Sequence, residues 1–241
     1  MKKVLLFFAG LSLISCEKDD SDKRCTTDCT RIHGSVVTMD NQPLANVKVH
    51  FDYNYSPGIG FQIRRIADTK TDASGNYGKD FYIEDDELGV QQGYFEMELD
   101  DSHLSDDLYI KIGNFDGSPE ALLYDIGTRD TIIDFSFYIP RKAFIKVHLN
   151  NFVPQQPNDY FEVQAKVPFG REIAPGQYAW NTIGRDIPNT QQNQFYDDVV
   201  VAQGANNIVV IAKRKNGVMT FDEYPITVPA GENDIELTFE Y

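Results

Sequence analysis

From residue 31 onward the apolar residues of this chain recur with a period of two. Ile32, Gly34 and Val36 alternate with His33 and Ser35, and Val47, Val49, Phe51 and Tyr53 alternate with Lys48, His50 and Asp52. The same beat runs through Phe95, Met97 and Leu99, through Leu108, Ile110 and Ile112, and through Ile133, Phe135, Phe137 and Ile139. Successive side chains of an extended strand point to opposite faces, so each run offers one face to a core and one to water. Turn residues separate the runs at the spacing of a β-sandwich. After Pro140-Arg141-Lys142, which reads as a short joint, the pattern starts again. Ile145, Val147 and Leu149 carry it, then Phe161 to Val167, Val199 and Val201, Ile208 to Ala212, and Ile235 to Tyr241. No stretch sustains a helical period. The expectation is an all-β chain of two consecutive antiparallel β-sandwich domains, residues 31–139 and 140–241, with the last run a paired strand.

The beginning of the chain has a different grammar. Lys2-Lys3 precedes the mostly apolar Val4–Ile14, which is too short for a permanent membrane span. With Leu13-Ile14-Ser15-Cys16 it resembles a bacterial lipoprotein signal peptide. The resemblance implies cleavage after residue 15 and lipidation of Cys16, whose several acyl chains would hold a membrane far better than one. Glu17-Lys18-Asp19-Asp20 follows, within an acidic linker expected over residues 16–30. A lysine and two acids just after the lipidated cysteine resemble the signal that carries lipoproteins to the exterior face of the outer membrane. The same run also fits a plain solvated linker.

Net charge matters here for what it excludes. The chain carries −15, and loss of the two lysines of residues 1–15 takes this to −17 over 226 residues. Such acidity disfavours nucleic acid and anionic membrane surfaces as partners. Cys25 and Cys29 flank a short polar loop, and in an exported chain they are candidates for a local disulfide. No second Cys or His pair completes a metal site beside them.

One group of segments carries a family pattern. Ile32-His33-Gly34-Ser35-Val36-Val37 leads to Pro43-Leu44-Ala45-Asn46-Val47, and then to Thr71-Asp72-Ala73-Ser74-Gly75-Asn76-Tyr77. Pro43 fixes φ at a strand entrance, Gly75 supplies a positive φ, and Asp72 can bond its own turn. Tyr77 would place its ring over the core. Together these resemble the carboxypeptidase regulatory-like family, over residues 31–82 well and 83–139 loosely. The resemblance implies a transthyretin-like, broadly immunoglobulin-like sandwich that accompanies enzymes, transporters and surface lipoproteins without itself being catalytic. Gly78-Lys79 departs from the pattern and suggests a strand delayed to Phe81-Tyr82-Ile83.

Candidate chemistry is sparse. His33, His50, His103 and His148 stand far apart without metal-ligand spacing. No nucleophile elbow, phosphate loop or dinucleotide fingerprint occurs. The acidic clusters Glu84–Glu87, Asp100-Asp101, Asp106-Asp107 and Asp197-Asp198 lack the order of a calcium loop and read as solvated faces. The segment from Pro168 to Gln194 reads as a long loop holding Tyr178 and the single tryptophan, Trp180, followed by a run of amides. Exposed, these aromatics would form a ligand-binding loop for sugars or peptides; buried, Trp180 would plug the core. The aromatic stretch Tyr53–Phe61 poses the same alternative.

The sequence therefore points to a non-catalytic surface lipoprotein acting as a binding or scaffold subunit, with no metal and no cofactor. Its expected partners are the membrane, through Cys16, and an outer-membrane protein or a glycan or peptide ligand. One alternative is a fimbrial-type subunit that polymerises by strand donation, with a removable first strand near Arg31. A glycan-acting enzyme is another, and would need two carboxylates converging in a cleft.

Overall fold

The computed structural model describes residues 16–21, 23–56, 62–89, 93–112, 121–123, 125–184, 191–232 and 235–241. The signal-peptide reading of residues 1–15 lies outside them. The first half contains β1 Cys16–Asp19, β2 Thr30–Val37, β3 Lys48–Tyr55, β4 Gln62–Lys70, β5 Asn76–Phe81, β6 Gly93–Asp100, β7 Ala121–Leu123, β8 Ile132–Asp134 and β9 Phe137–Tyr138. The second half contains β10 Lys142–Asn150, β11 Tyr160–Ala174, β12 Gln177–Gly184, β13 Gln194–Ala202, β14 Asn206–Lys215, β15 Val218–Thr227 and β16 Glu236–Glu240. The described residues hold no α-helix, only single 3-10 turns at Met39–Asn41 and Asp85–Glu87. The chain is all β, in two sandwich-like halves, as the alternation requires.

In the first half a sheet of order β1-β4-β3-β6-β7 faces β2 and β5. Phe51 of β3 stacks on Phe95 of β6 and meets Phe81 of β5 across the core, with ring centroids 5.7 and 5.4 Å apart. In the second half the sheet β13-β10-β16 faces β11, β14 and β15. Tyr241 packs edge-on to Phe152 and tilts against Phe161 of β11, while Phe239 of β16 meets Tyr224 of β15. Alternation puts the buried residues of β10, Ala143, Ile145, Val147 and Leu149, on one face.

The two halves share a sheet. β9 pairs in parallel with β2, Val36 opposite Phe137 and Val37 opposite Tyr138. On its other edge β9 pairs antiparallel with β11, Tyr138 opposite Gly170 and Phe137 opposite Arg171. The order β15-β14-β11-β9-β2-β5 therefore runs through both sandwiches. The joint at Pro140–Lys142 is held as well. Ile110 N–H donates to the Pro140 carbonyl (3.0 Å) and Lys142 N–H to that of Leu108 (2.8 Å).

Several expectations change. Leu108–Ile112 is a turn joined to Arg141 by a single bridge at Tyr109, and Ile110 and Ile112 are buried there without a strand ladder. The linker at 16–30 is partly sheet, because β1 adds in parallel to β4 with Cys16 opposite Gln62. Some of its charges are paired: Lys18 bonds Glu84 (2.8 Å) and Asp20 (3.1 Å), and Asp20 faces Arg64 (3.5 Å). Pairing is not uniformly antiparallel, since β1 with β4, β8 and β9 with β2, and β16 with β10 run parallel. β5 begins at Asn76 and includes Gly78-Lys79, so that strand is not delayed.

The 34–77 motif has a steric logic. The Phe135 carbonyl crosses directly over Gly34, 1.7 Å from where a Cβ would stand. Tyr77, buried and lifted well above the ordinary phenol range by desolvation, donates its hydroxyl to that same carbonyl (2.5 Å). Asp72 Oδ1 accepts the N–H groups of Ser74 (2.8 Å) and Asn76 (3.0 Å), while Gly75 sits at φ 75°. Cys25 and Cys29 are joined by a disulfide, with Cα atoms 5.8 Å apart. Gly34→Ala forces backbone to move and should lower stability by about 3 kcal/mol in urea unfolding. A loss below roughly 1 kcal/mol, the size of an ordinary substitution, would show that the Phe135 carbonyl does not lie there.

Candidate functional site

β11 is fifteen residues long and changes partners along its length. Tyr160–Lys166 pairs with β14, and Gly170-Arg171 pairs with β9. β12 folds back on the distal part through a tight turn at Gly176, φ 69°. The register slips between Pro168 and Glu172, and Gly170 takes φ 93° inside the slip. Asn181 Nδ2 donates to the Phe169 carbonyl exposed there (2.9 Å). A bulge of this kind bends a strand and re-aims its neighbours. The expected loop from Pro168 is thus a β-hairpin as far as Gly184, with residues 185–190 outside the described range.

This hairpin forms one wall of a cleft of about 480 Å³. Pro168, Ile173, Gly176, Gln177, Tyr178 and Trp180 line that wall. Tyr138 of β9 lines the cleft between the halves, Thr38, Asp40 and Asn41 come from the first half, and Ala205 and Asn206 from the second. Asp40 and Asn41 take positive φ, 58° and 54°, which short polar side chains tolerate better than others. Met39, just before them, packs so closely on Gly204 that a Cβ there would lie 2.9 Å from its sulfur. The turn of the first half is in this way docked on the β13–β14 turn of the second.

Tyr178 and Trp180 therefore share the cleft, and Trp180 is not a core plug: it is 48% exposed. Tyr178 stacks on Tyr138, ring centroids 4.8 Å apart and 26° from parallel. Burial pushes the Tyr138 phenol up to about 12, with smaller contributions from Tyr178 and Asp40. Burial, then Glu172, raises that of Tyr178. Both hydroxyls stay protonated at neutral pH and can donate. Thr38 is 4% exposed, and its hydroxyl has no hydrogen-bond partner among the described residues. The other aromatic stretch resolves differently, since Tyr53 and Asn54 are buried within β3. Residues 57–61 of that stretch lie outside the described range.

The remaining candidates do not converge on the cleft. His33 lies near Asp134 (3.9 Å), His50 near Asp68 (3.5 Å), His148 against Glu236, and His103 beside the Ala45 carbonyl (3.2 Å). Among the described residues no group of three His, Cys, Asp or Glu is placed to hold a metal. Carboxylates gather instead on the first-half sheet, where Asp52 stands opposite Glu96 in the β3–β6 register. Arg65 grips Asp52 through both oxygens (2.7 and 2.8 Å), and Asn54 donates to Glu96 (2.6 Å). Asp40 is the one carboxylate among the described residues lining the cleft. A pair of catalytic carboxylates is not assembled there.

No family model and no curated protein matches the chain. Solved structures resemble it at 8–10% identity. The Bacillus anthracis TIE protein is 10% identical at a TM-score of 0.30, over 88% of this chain and 34% of that one. A streptococcal ancillary pilin is 9% identical at 0.31, over 89% and 63%. The shaft pilin SpaA of Lactobacillus rhamnosus GG is 8% identical at 0.32, over 87% and 97%. This chain thus spans about a third of the first and under two thirds of the second. A likeness this distant carries no argument about activity.

Glu96 gives the sheet a pH signature. Burial, then the neighbouring Glu98 and Asp52, push its carboxyl from an ordinary 4.5 up to about 7. Between those values the folded chain holds a proton that the unfolded chain has released, so stability falls as pH rises through that window. Glu96→Gln should raise the urea midpoint at pH 8 and leave it nearly unchanged at pH 4. An equal effect at both pH values would contradict this origin.

Proposed function

We propose that this chain is a non-catalytic lipoprotein anchored through Cys16 at the outer membrane, facing the exterior, where it serves as a binding subunit. The observation that carries the reading is the cleft between the halves, with the Trp180 indole half exposed beside the stacked Tyr138 and Tyr178. Large aromatics left open at a concave site are the usual mark of recognition. The described lining lacks lysine and arginine, which fits an acidic chain that avoids polyanions. Address rests on the lipobox Leu13–Cys16 and on the Glu17–Asp20 run. Because Cys16 opens β1, a lipid there would tether the β4 edge of the first half close to the membrane. The 34–77 motif supports a carboxypeptidase regulatory-like first half.

A fimbrial-type subunit is the second reading, favoured by β15. This ten-residue edge strand is exposed along nearly its whole length, with Val218, Met219, Phe221 and Tyr224 in the open. An exposed apolar edge invites pairing with another chain. The strand exchanged would not be the one near Arg31. β2 is hydrogen-bonded on both edges, and Ile32 and Val36 are fully buried.

Protease shaving of intact cells tests the address. The chain should be clipped from living cells and disappear from the membrane fraction in a Cys16→Ala variant. Protection until the outer membrane is broken would place it on the inner side and remove the exterior reading.

A further inference from the structure

Among the described residues the cleft has a specific balance of groups. Its one exposed aromatic ring is Trp180; Tyr138 is buried and Tyr178 half-buried, each with one face stacked on the other. Around it stand a carboxylate, Asp40, and the amides of Asn41 and Gln177, on the exposed rim. Protonated phenols and the partnerless Thr38 hydroxyl add donors and an acceptor. A cage for a quaternary ammonium needs several aromatic faces turned inward around the cation. Here one exposed ring is offered, and the exposed polar groups around it are a carboxylate and amides, suited to hydrogen bonding. An anionic ligand would meet Asp40 with no lysine or arginine among the described lining residues to receive it.

We infer that the cleft binds a neutral oligosaccharide, its C–H-rich pyranose face stacked on the Trp180 indole and its hydroxyls bonded to Asp40, Asn41 and Gln177. A pyranose is flat and apolar on one side and carries hydroxyls, each both donor and acceptor, around its edge. Carboxylate and carboxamide groups can take two neighbouring hydroxyls at once. The volume of about 480 Å³ lies within the range of small-ligand sites, and a longer chain can run out along the open rim. The inference rests on the binding-subunit reading and gives that site its ligand class.

The single tryptophan makes the test direct, since any change in indole emission reports on residue 180 alone. Full-length protein in mild detergent is titrated with maltohexaose, cellohexaose, xylohexaose and mannohexaose. At least one should blue-shift the emission saturably. Isothermal titration should give the same affinity, unchanged between 50 and roughly 500 mM salt because a neutral ligand has no charge to screen. Trp180→Ala should weaken binding at least tenfold with an unchanged unfolding midpoint, as expected for a half-exposed side chain. Asp40→Asn should weaken it several-fold. Silence across the panel overturns the inference, as does binding that survives Trp180→Ala. Tetramethylammonium or trimethyl-lysine binding that is lost on raising salt and in Asp40→Asn would overturn the glycan class while keeping the cleft a binding site. The binding-subunit reading falls separately, if a library of extended peptides also leaves the Trp180 emission unchanged.

Discussion

The two-residue strand at Phe137-Tyr138 is the contact on which the rest depends. It is hydrogen-bonded to Val36-Val37 on one side and to Gly170-Arg171 on the other. Flanking bonds extend the seam: Ile139 N–H to the Val37 carbonyl (2.9 Å), and Glu172 N–H to that of Ser136 (2.7 Å). Phe137 is wholly buried, so the seam is apolar as well as hydrogen-bonded. Without it each half would present an unsatisfied sheet edge to the other, at the cost that unpaired buried amides carry. The halves are therefore one hydrogen-bonded body, and the short joint at Pro140–Lys142 lies inside it.

The cleft follows from the seam. Tyr138 leaves the seam to form the back of the cleft, and the bulge at Gly170 bends β11 so that the hairpin with β12 rises beside it. Asn181 satisfies the carbonyl that the bulge exposes, which fixes the hairpin and, one residue earlier, Trp180. The left-handed turn at Asp40-Asn41 closes the far side, braced by Met39 against Gly204. The groups that line the cleft thus come from four separate stretches of chain, positioned by backbone geometry rather than by a local motif.

This division explains what the sequence disclosed. Strands buried on one face announce themselves by alternation, and β2, β3, β6, β10 and the first part of β11 were legible that way. The Gly34, Asp72, Gly75 and Tyr77 positions were legible because turn chemistry and close backbone approach admit few residues. β4 was hidden because its buried Arg64 looks like a surface charge until Glu87, distant in sequence, is seen to grip it. β15 was hidden because it is exposed on both faces and has no apolar alternation to read. Leu108–Ile112 alternates and is largely buried, yet packs against the joint without a ladder, and periodicity alone does not separate these cases. Tyr178 and Trp180 were marked by composition, but their hairpin was concealed by Pro168, Gly170 and Gly176, which punctuate a sequence as a loop does. Tyr138 and Thr38 gave no signal, since only the fold brings them to Trp180.

The central claim is that the seam makes one structure of two halves, and native-state hydrogen exchange addresses it directly. The amides of Ile139 and Glu172 should open only with global unfolding, at the same free energy as the core amides of β3 and β10. Exchange at those two amides several kcal/mol below the core strands, the signature of sub-global opening, would mean that the halves part as independent domains and that the cleft between them is not a fixed site.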